Sequence, residues 1–239
     1  MRIRTLAVLA IVVALTTPAL ADPLPSWRNT EAKSRIVEFV ERVTDPESAD
    51  FVPVADRIAT FDNDGCLWAE QPVYFQLIYA LDRLKEQAQD DPSILSTDPL
   101  KAAAAGDIEG MLAEGSDGLM DILAVTHANV SVEAFQADVL NWLSMARHSS
   151  TGMAYNDMVY QPMLELLSYL RDAGFQTWIV SGGGVHFVRA FAEQAYGIPP
   201  QQVVGSATPT EYQLIDGVPT IMKLPGIEFV DDKAGKPIG

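Results

Sequence analysis

Apolar residues recur along this chain in three rhythms. Ile36, Val37, Phe39, Val40 and Val43 fall three and four apart, which predicts an amphipathic helix from a cap at Asn29 or Thr30 to about Val43. The short apolar run Arg57–Thr60 predicts a buried strand. A second strand is expected from Gly174, through Phe175–Val180, to the small hydroxyl of Ser181. Helical spacing resumes at once with Val185, Val188, Phe191, Ala192 and Ala195. A third strand is expected at Gln202–Gly205. Tyr212–Ile215 and Val218–Met222 flank Asp216-Gly217, a strong turn signal for a hairpin.

The stretch between Asp62 and Ser181 is far longer than one strand–helix unit needs. From about Glu70 to Met158 it carries helical patterns at Tyr74–Gln89, Asp107–Ala113, Gly118–Thr126 and Val132–Arg147. A further helix at Pro162–Asp172 feeds the second strand. The expected fold is α/β, a Rossmann-like parallel sheet core with a helical cap inserted after the first strand. Residues 22–69 and 159–239 would form the core and residues 70–158 the cap. No internal repeat is evident.

The N-terminus changes the expected destination. Arg2 and Arg4 precede a ten-residue apolar stretch, Leu6–Leu15, too short to span a bilayer, and Ala19-Leu20-Ala21 has the form of a cleavage site. Residues 1–21 therefore read as a signal peptide. The mature chain would start at Asp22, be periplasmic or secreted, and have no stable membrane association. Processing removes two arginines and takes the formal charge from −16 to −18. So acidic a surface argues against nucleic acid and anionic membranes as partners. With Cys66 as the sole cysteine, no intrachain disulfide can form, and packing alone must stabilise the fold.

Candidate chemistry sits at the strand ends. Asp62-Asn63-Asp64-Gly65 leaves the first strand at Gly65, so both carboxylates can turn to one point beyond its C-terminal end, where open α/β sheets bind ligands. Two acids held together repel, which calls for a cation between them. The same tetrapeptide also suits a solvated acidic turn. Ser181-Gly182-Gly183-Gly184, read as a turn from strand to helix, offers backbone N–H groups and a hydroxyl to an anion, or else is a tight turn with no ligand. His127, His148 and His186 show no ligand spacing and read as ordinary surface or partly buried residues, with His186 nearest the glycines. Trp68, Tyr74 and Phe75 read as core more than substrate contacts, and Cys66 as packing.

These residues carry a resemblance. Asp62-Asn63-Asp64-Gly65-Cys66 resembles the first motif of the haloacid dehalogenase-like hydrolases, Asp-x-Asp-x-Thr/Val, with Cys66 where Thr is usual. Ser181-Gly182-Gly183 resembles the second motif in the form used by the phosphoserine phosphatase-like branch. Gly235-Lys236-Pro237 is similar to the setting of the family's lysine, and Lys236 fits it better than Lys233. The long insertion resembles a type 1 helical cap, which closes over the site and excludes water. The resemblance runs from Ala55 to the C-terminus. In the family a further strand and an acidic loop follow the lysine and give Mg²⁺ another carboxylate. A chain ending at Gly239 is therefore expected to be C-terminally incomplete as a family core, or to have lost that ligand.

The resemblance implies an exported Mg²⁺-dependent phosphatase acting on small phosphate monoesters through an aspartyl-phosphate. Asp62 would be the nucleophile and Asp64 the acid and base. Mg²⁺ would be held by the Asp62 carboxylate and the Asp64 backbone carbonyl. Ser181, Lys236 and the N–H groups near Gly182 and Gly183 would hold the phosphoryl oxygens. Asp64 speaks against dehalogenation. Where phosphoserine phosphatases place a glutamate, this chain has Gln71, with Glu70 one position earlier, so phosphoserine is not implied. The alternative is a catalytically silent module that binds a phosphate ligand or a protein.

Overall fold

A computed structural model describes residues 22–113 and 116–239. Residues 1–21, on which the export reading rests, lie outside the described residues. The first helix, α1, spans Glu31–Thr44. Thr30 occupies its N-cap position, but the hydroxyl makes no capping hydrogen bond.

Three parallel strands form the central sheet: β1 (Ile58–Phe61), β2 (Gln176–Gly184) and β3 (Val203–Ser206), in the order β1-β2-β3. β1 pairs with β2 from Ile58↔Gln176 to Phe61↔Ile179. Two sequence expectations change here. β1 is not a buried strand: among the described residues it pairs only with β2, and Ile58 is 56% exposed. The glycines after Ser181 are not a turn either. They continue β2 through a bulge between Ser181 and Gly184, and α8 (Val185–Tyr196) starts at the next residue. The missing Cβ of Gly205 lets β3 come close to this stretch; a methyl there would sit 2.8 Å from the Gly183 carbonyl oxygen.

Six α-helices lie between β1 and β2 among the described residues, the first five being α2 (Phe75–Asp90), α3 (Asp98–Ala105), α4 (Ile108–Met111), α5 (Ser116–Thr126) and α6 (Val132–Met145). The helix at Asp98–Ala105 escaped the sequence reading because its run of alanines carries no amphipathic rhythm. Helix α7 (Gln161–Asp172) then leads into β2. The hairpin β4 (Thr210–Ile215) and β5 (Val218–Lys223) turns at Asp216 and Gly217, both with positive φ, as a tight hairpin turn requires.

Two apolar clusters hold this together. In the larger, Phe75 and Tyr79 of α2 and Phe135, Val139 and Trp142 of α6 pack with Ile179 of β2 and Phe187, Val188 and Phe191 of α8. The smaller joins the other side of α2 (Ala80, Leu81, Leu84) to Leu100, Ala103, Met111 and Ile122. The helices α2 and α6 thus share the core of the sheet, whereas α3–α5 hang from the outer face of α2. The hairpin is tied to the same insertion: Lys223 donates its N–H to the Val130 carbonyl, and its own carbonyl accepts from Asn129.

Candidate active site

The turn after β1 is organised by one carbonyl. The Asn63 C=O accepts from the N–H groups of Cys66, Leu67 and Trp68, and Gly65 adopts φ 69°. Glycine is required there twice, because a Cβ would also lie 2.8 Å from the Glu70 carboxyl carbon. The Asn63 side chain is buried and accepts a hydrogen bond from the Tyr196 hydroxyl at 3.0 Å. Tight anchoring of the residue between the two aspartates fixes where both carboxylates stand.

Asp62 and Asp64 line one cavity of about 500 Å³ with Gly182, Gly183 and Gly184. The Lys236 ammonium lies 2.7 Å from Asp62 Oδ2 and donates to the Val180 carbonyl at 2.9 Å, so it ties β1 to β2 at the site. Lys233 points elsewhere, with its side chain 90% exposed and paired loosely with Asp232. Of the two lysines, Lys236 is the one that reaches Asp62.

Asp64 is held from behind. Its Oδ1 accepts from the Trp68 indole N–H at 2.8 Å, and Trp68 is itself buried and stacked on Phe191 at 4.5 Å. Its Oδ2 stands 3.8 Å from where a Gly183 side chain would begin, so it faces the glycines. Burial pushes the Asp64 carboxyl above its ordinary range; the indole N–H works against this, and the charges of Asp62 and Glu70 add to it. A carboxyl with a raised pKa beside one paired with lysine can serve as an acid next to a nucleophile or an anchor.

Ser181 is fully buried at the end of β2, where its Oγ accepts from the Gly183 N–H at 3.1 Å. The hydroxyl hydrogen remains free to be donated. Gly184 N–H is already used, donating to Gln76 Oε1 at 2.7 Å. The sequence reading missed Gln76 altogether. Its amide N–H faces His127 Nε2 at 3.3 Å, while His127 Nδ1 lies 2.7 Å from the Thr126 hydroxyl. Thr126 Oγ1 donates to the Ile122 carbonyl, so hydrogen-bond logic assigns the His127 proton to Nδ1 and leaves Nε2 as an acceptor for Gln76. Burial lowers the His127 pKa to about 3, with Lys223 contributing, so the ring is neutral. His127 was read as ordinary from sequence; it is a buried strut between α5 and the glycine strand.

His186 and Lys223 were not grouped by any sequence spacing. They meet at 3.1 Å on the cavity wall, and Lys223 also donates to Thr208 Oγ1 at 2.9 Å. His148 stands apart, donating from Nε2 to the Gln71 carbonyl. Trp68 and Phe75 are core, as expected, whereas Tyr74 is exposed and lines the cavity. Cys66 is partly buried with its thiol pKa raised by burial, which does not suit a thiolate nucleophile.

Asp231 is fully buried, and neither carboxyl oxygen has a hydrogen-bond partner. Burial raises its pKa, with Lys236 opposing and Asp62 and Asp232 adding. Among the described residues, no three His, Cys, Asp or Glu side chains converge to hold a metal. A cation at this site would rest on one or two carboxylates, with water and a ligand phosphate completing its shell. That donor set suits Mg²⁺ and not a metal that needs an all-protein cage.

A parallel α/β sheet with paired acids beyond one strand, a lysine bridging to the next strand and a glycine-lined cradle opposite defines a hydrolase-type site. The chain belongs to the haloacid dehalogenase-like hydrolases, whose family profile matches residues 57–215. No curated protein matches it. Among solved structures, a conserved, functionally unknown protein from Anaerococcus prevotii DSM 20548 is 13% identical, with 87% of this chain and 74% of that one covered and a TM-score of 0.55. A protein of unknown function from Bordetella pertussis Tohama I is 15% identical over 76% of this chain and 71% of its own, with a TM-score of 0.48. A phosphoserine phosphohydrolase-like protein from Francisella tularensis subsp. tularensis SCHU S4 is 19% identical over 72% of this chain, with a TM-score of 0.37. The chain spans 64% of that protein's length. The Anaerococcus likeness supports the fold over most of the chain, and none of the three bears on chemistry.

Proposed function

We propose that this protein is an exported phosphomonoesterase of the phosphoserine phosphatase-like branch, acting on small phosphate esters. The observation that carries the reading is the 2.7 Å pair of Asp62 Oδ2 and Lys236 Nζ, with Asp62 lining a cavity together with Asp64 and Gly182–Gly184. In this reading the free Asp62 oxygen attacks phosphorus and forms an aspartyl-phosphate, while Lys236 keeps the carboxylate aimed and meets a phosphoryl oxygen. Asp64, whose pKa burial raises, gives its proton to the leaving alcohol from Oδ2. It then takes one from the water that releases phosphate. The Ser181 hydroxyl and the Gly182 N–H hold the remaining oxygens, with the Gly183 N–H joining them once it leaves Ser181 Oγ. Mg²⁺, held by the Asp62 carboxylate and the Asp64 backbone carbonyl, would neutralise charge on the phosphoryl group. The helices of residues 70–158 serve as the cap that excludes water.

Export rests on the charged start and short apolar stretch of residues 1–21. Among the described residues no helix is long and apolar enough to cross a membrane. The partners are small phosphorylated molecules and not nucleic acid, given the acidic surface.

One observation favours the silent binding module as a second reading: no trio of metal-ligating side chains converges among the described residues. The same assay separates the two. Phosphate release from p-nitrophenyl phosphate and a panel of small esters is expected with Mg²⁺, to be lost in excess chelator and in Asp62→Asn. Ester binding without any turnover in Mg²⁺ would select the module, and turnover by Asp62→Asn equal to the wild type would remove the nucleophile.

A further inference from the structure

Lys223, at the end of β5, is 3% exposed, yet no carboxylate pairs with it among the described residues. The other buried lysine, Lys33, is paired with Asp22, and the buried Arg57, also without a carboxylate, donates to the carbonyls of Val52 and Ala173. Lys223 has only the Thr208 hydroxyl, the His186 Nδ1 lone pair and the face of Phe135 at 4.7 Å. Removing an ammonium from water against neutral partners alone is unfavourable. Burial accordingly lowers its pKa to about 8, which still leaves it charged at neutral pH.

The surroundings supply no compensating charge. His186 is held neutral, its pKa lowered to about 4 by burial, then by Lys223 and Arg189. His127 is neutral too. Lys223 is the cationic side chain of the cavity wall, and the acids lining that cavity are Asp62, Asp64, Glu70 and Asp232. Three of the four belong to the β1 turn and the segment after it. The same cavity is also lined by apolar side chains, Leu119, Met120 and Ile227 among them. The backbone of Lys223 is fixed on both sides by the α5–α6 loop, so the ammonium cannot withdraw to solvent without unpairing the hairpin from the insertion.

We infer that Lys223, with the hydroxyl of Thr208 and the ring of His186, is a second anion subsite of this cavity, and that the substrate is a phosphate monoester bearing a carboxylate at the end remote from the phosphate. This rests on the phosphomonoesterase reading for the phosphate end. A single carboxylate matches the single charge; a second phosphate would bring two against one ammonium. Lys223 donates to both neutral partners now, and its third N–H and the free Thr208 O–H are the donors left for the carboxylate.

The test uses matched pairs: phosphoglycolate, 3-phosphooxypropanoate and 4-phosphooxybutanoate, each beside its methyl ester, which removes the charge and keeps the phosphate. In the wild type, kcat/KM for the acid should exceed that for the ester at least tenfold for one chain length, with the difference in KM. Lys223→Met should bring that ratio within about twofold of one, and Lys223→Arg should retain most of it. Thr208→Val should lower it several-fold. Lys223→Met should also melt no lower than the wild type, because it removes an uncompensated buried charge, whereas a lysine serving structure alone would leave a less stable protein with an unchanged ratio. A wild-type ratio near one for all three lengths, or a ratio kept in Lys223→Met, overturns the subsite. If the wild type turns over neither acid nor ester, the phosphatase reading is the one that fails. The subsite is then read from calorimetric binding of 3-phosphonopropanoate and its methyl ester, where equal affinities overturn it and tenfold tighter binding of the acid, lost in Lys223→Met, upholds it.

Discussion

Substituting glutamine for His127 should flatten the acid side of the stability profile. The ring is buried, donates from Nδ1 to Thr126 and accepts from Gln76 at Nε2, so both nitrogens are used only in the neutral form. Its folded pKa lies near 3 against 6.5 for the free side chain. The sign follows from linkage. A base whose folded pKa is depressed contributes stability that is whole above its unfolded pKa and is lost as pH falls through the window below it. At pH 5 the unfolded chain binds this proton and the folded chain does not. One and a half units below 6.5 corresponds to about 2 kcal/mol. The measurement is urea unfolding of wild type and His127→Gln at pH 7.5 and pH 5, with m-values compared to check that both unfold from equally compact states. His186 titrates in an overlapping window, and Asp64 and Asp231, with raised pKa values, act in the opposite direction, but these are common to both proteins. The difference between the two slopes isolates His127. The variant may not lose more than the wild type on acidification: it should lose about 2 kcal/mol less. Parallel profiles would refute the assignment of a neutral, doubly bonded ring.

Three further outcomes follow from the site. Trp68→Phe keeps the stacking on Phe191 but removes the N–H that reaches Asp64 Oδ1; urea unfolding at pH 7 should show a loss of about 0.5–1.5 kcal/mol, the range for an ordinary hydrogen bond, and no loss would mean the bond carries nothing. Gln76→Leu leaves the Gly184 N–H without its acceptor, so kcat/KM on small phosphate esters should fall roughly tenfold, the scale of one hydrogen bond, with wild-type kinetics as the contrary result. Asp231→Asn should be stabilising near pH 7 and neutral near pH 3 in thermal melts. A raised carboxyl pKa contributes stability below the unfolded pKa that is lost as pH rises through the folded one, and asparagine does not titrate.

How much of this was legible in the chain depends on how local the signal is. The α/β alternation, the hairpin at Asp216-Gly217 and the placing of Asp62 just past a strand end came from short-range rhythm, and the structure keeps them, whereas Ser181 lies within a strand that runs on to Gly184. The helix at Asp98–Ala105 did not, because alanines pack without an apolar stripe. Strand burial was misjudged at β1 because an apolar run does not show how many neighbours a strand has. The glycines were misread as a turn because their use, close approach of Gln76 and Asp232, is visible only in the folded chain. Gln76, His127 and Lys223 carried no motif. Each matters through a partner far along the chain: Gln76 through Gly184, His127 through Gln76, Lys223 through His186. The Glu70–Met158 stretch promised such long-range contacts but could not specify them.

The charge distribution gives these cations a common physical logic. A chain with a formal charge of −16 repels a phosphate ester at long range, so attraction has to be local and shielded from solvent. Lys236 meets that need at the Asp62 end, where its side chain is only partly exposed and its direction is fixed by two acceptors. Lys223 meets it where the hairpin joins the insertion, at greater burial and without a carboxylate. The contrast between the two is informative. An ammonium paired with a carboxylate has little net charge left to offer, so Lys236 orients Asp62 more than it attracts. An ammonium surrounded by neutral groups keeps its full charge, and it acts in a low-dielectric setting where that charge reaches furthest. The stability given up by burying Lys223 unpaired is thus recovered only when an anion arrives, which couples occupancy of the cavity to the seam between the hairpin and the α5–α6 loop.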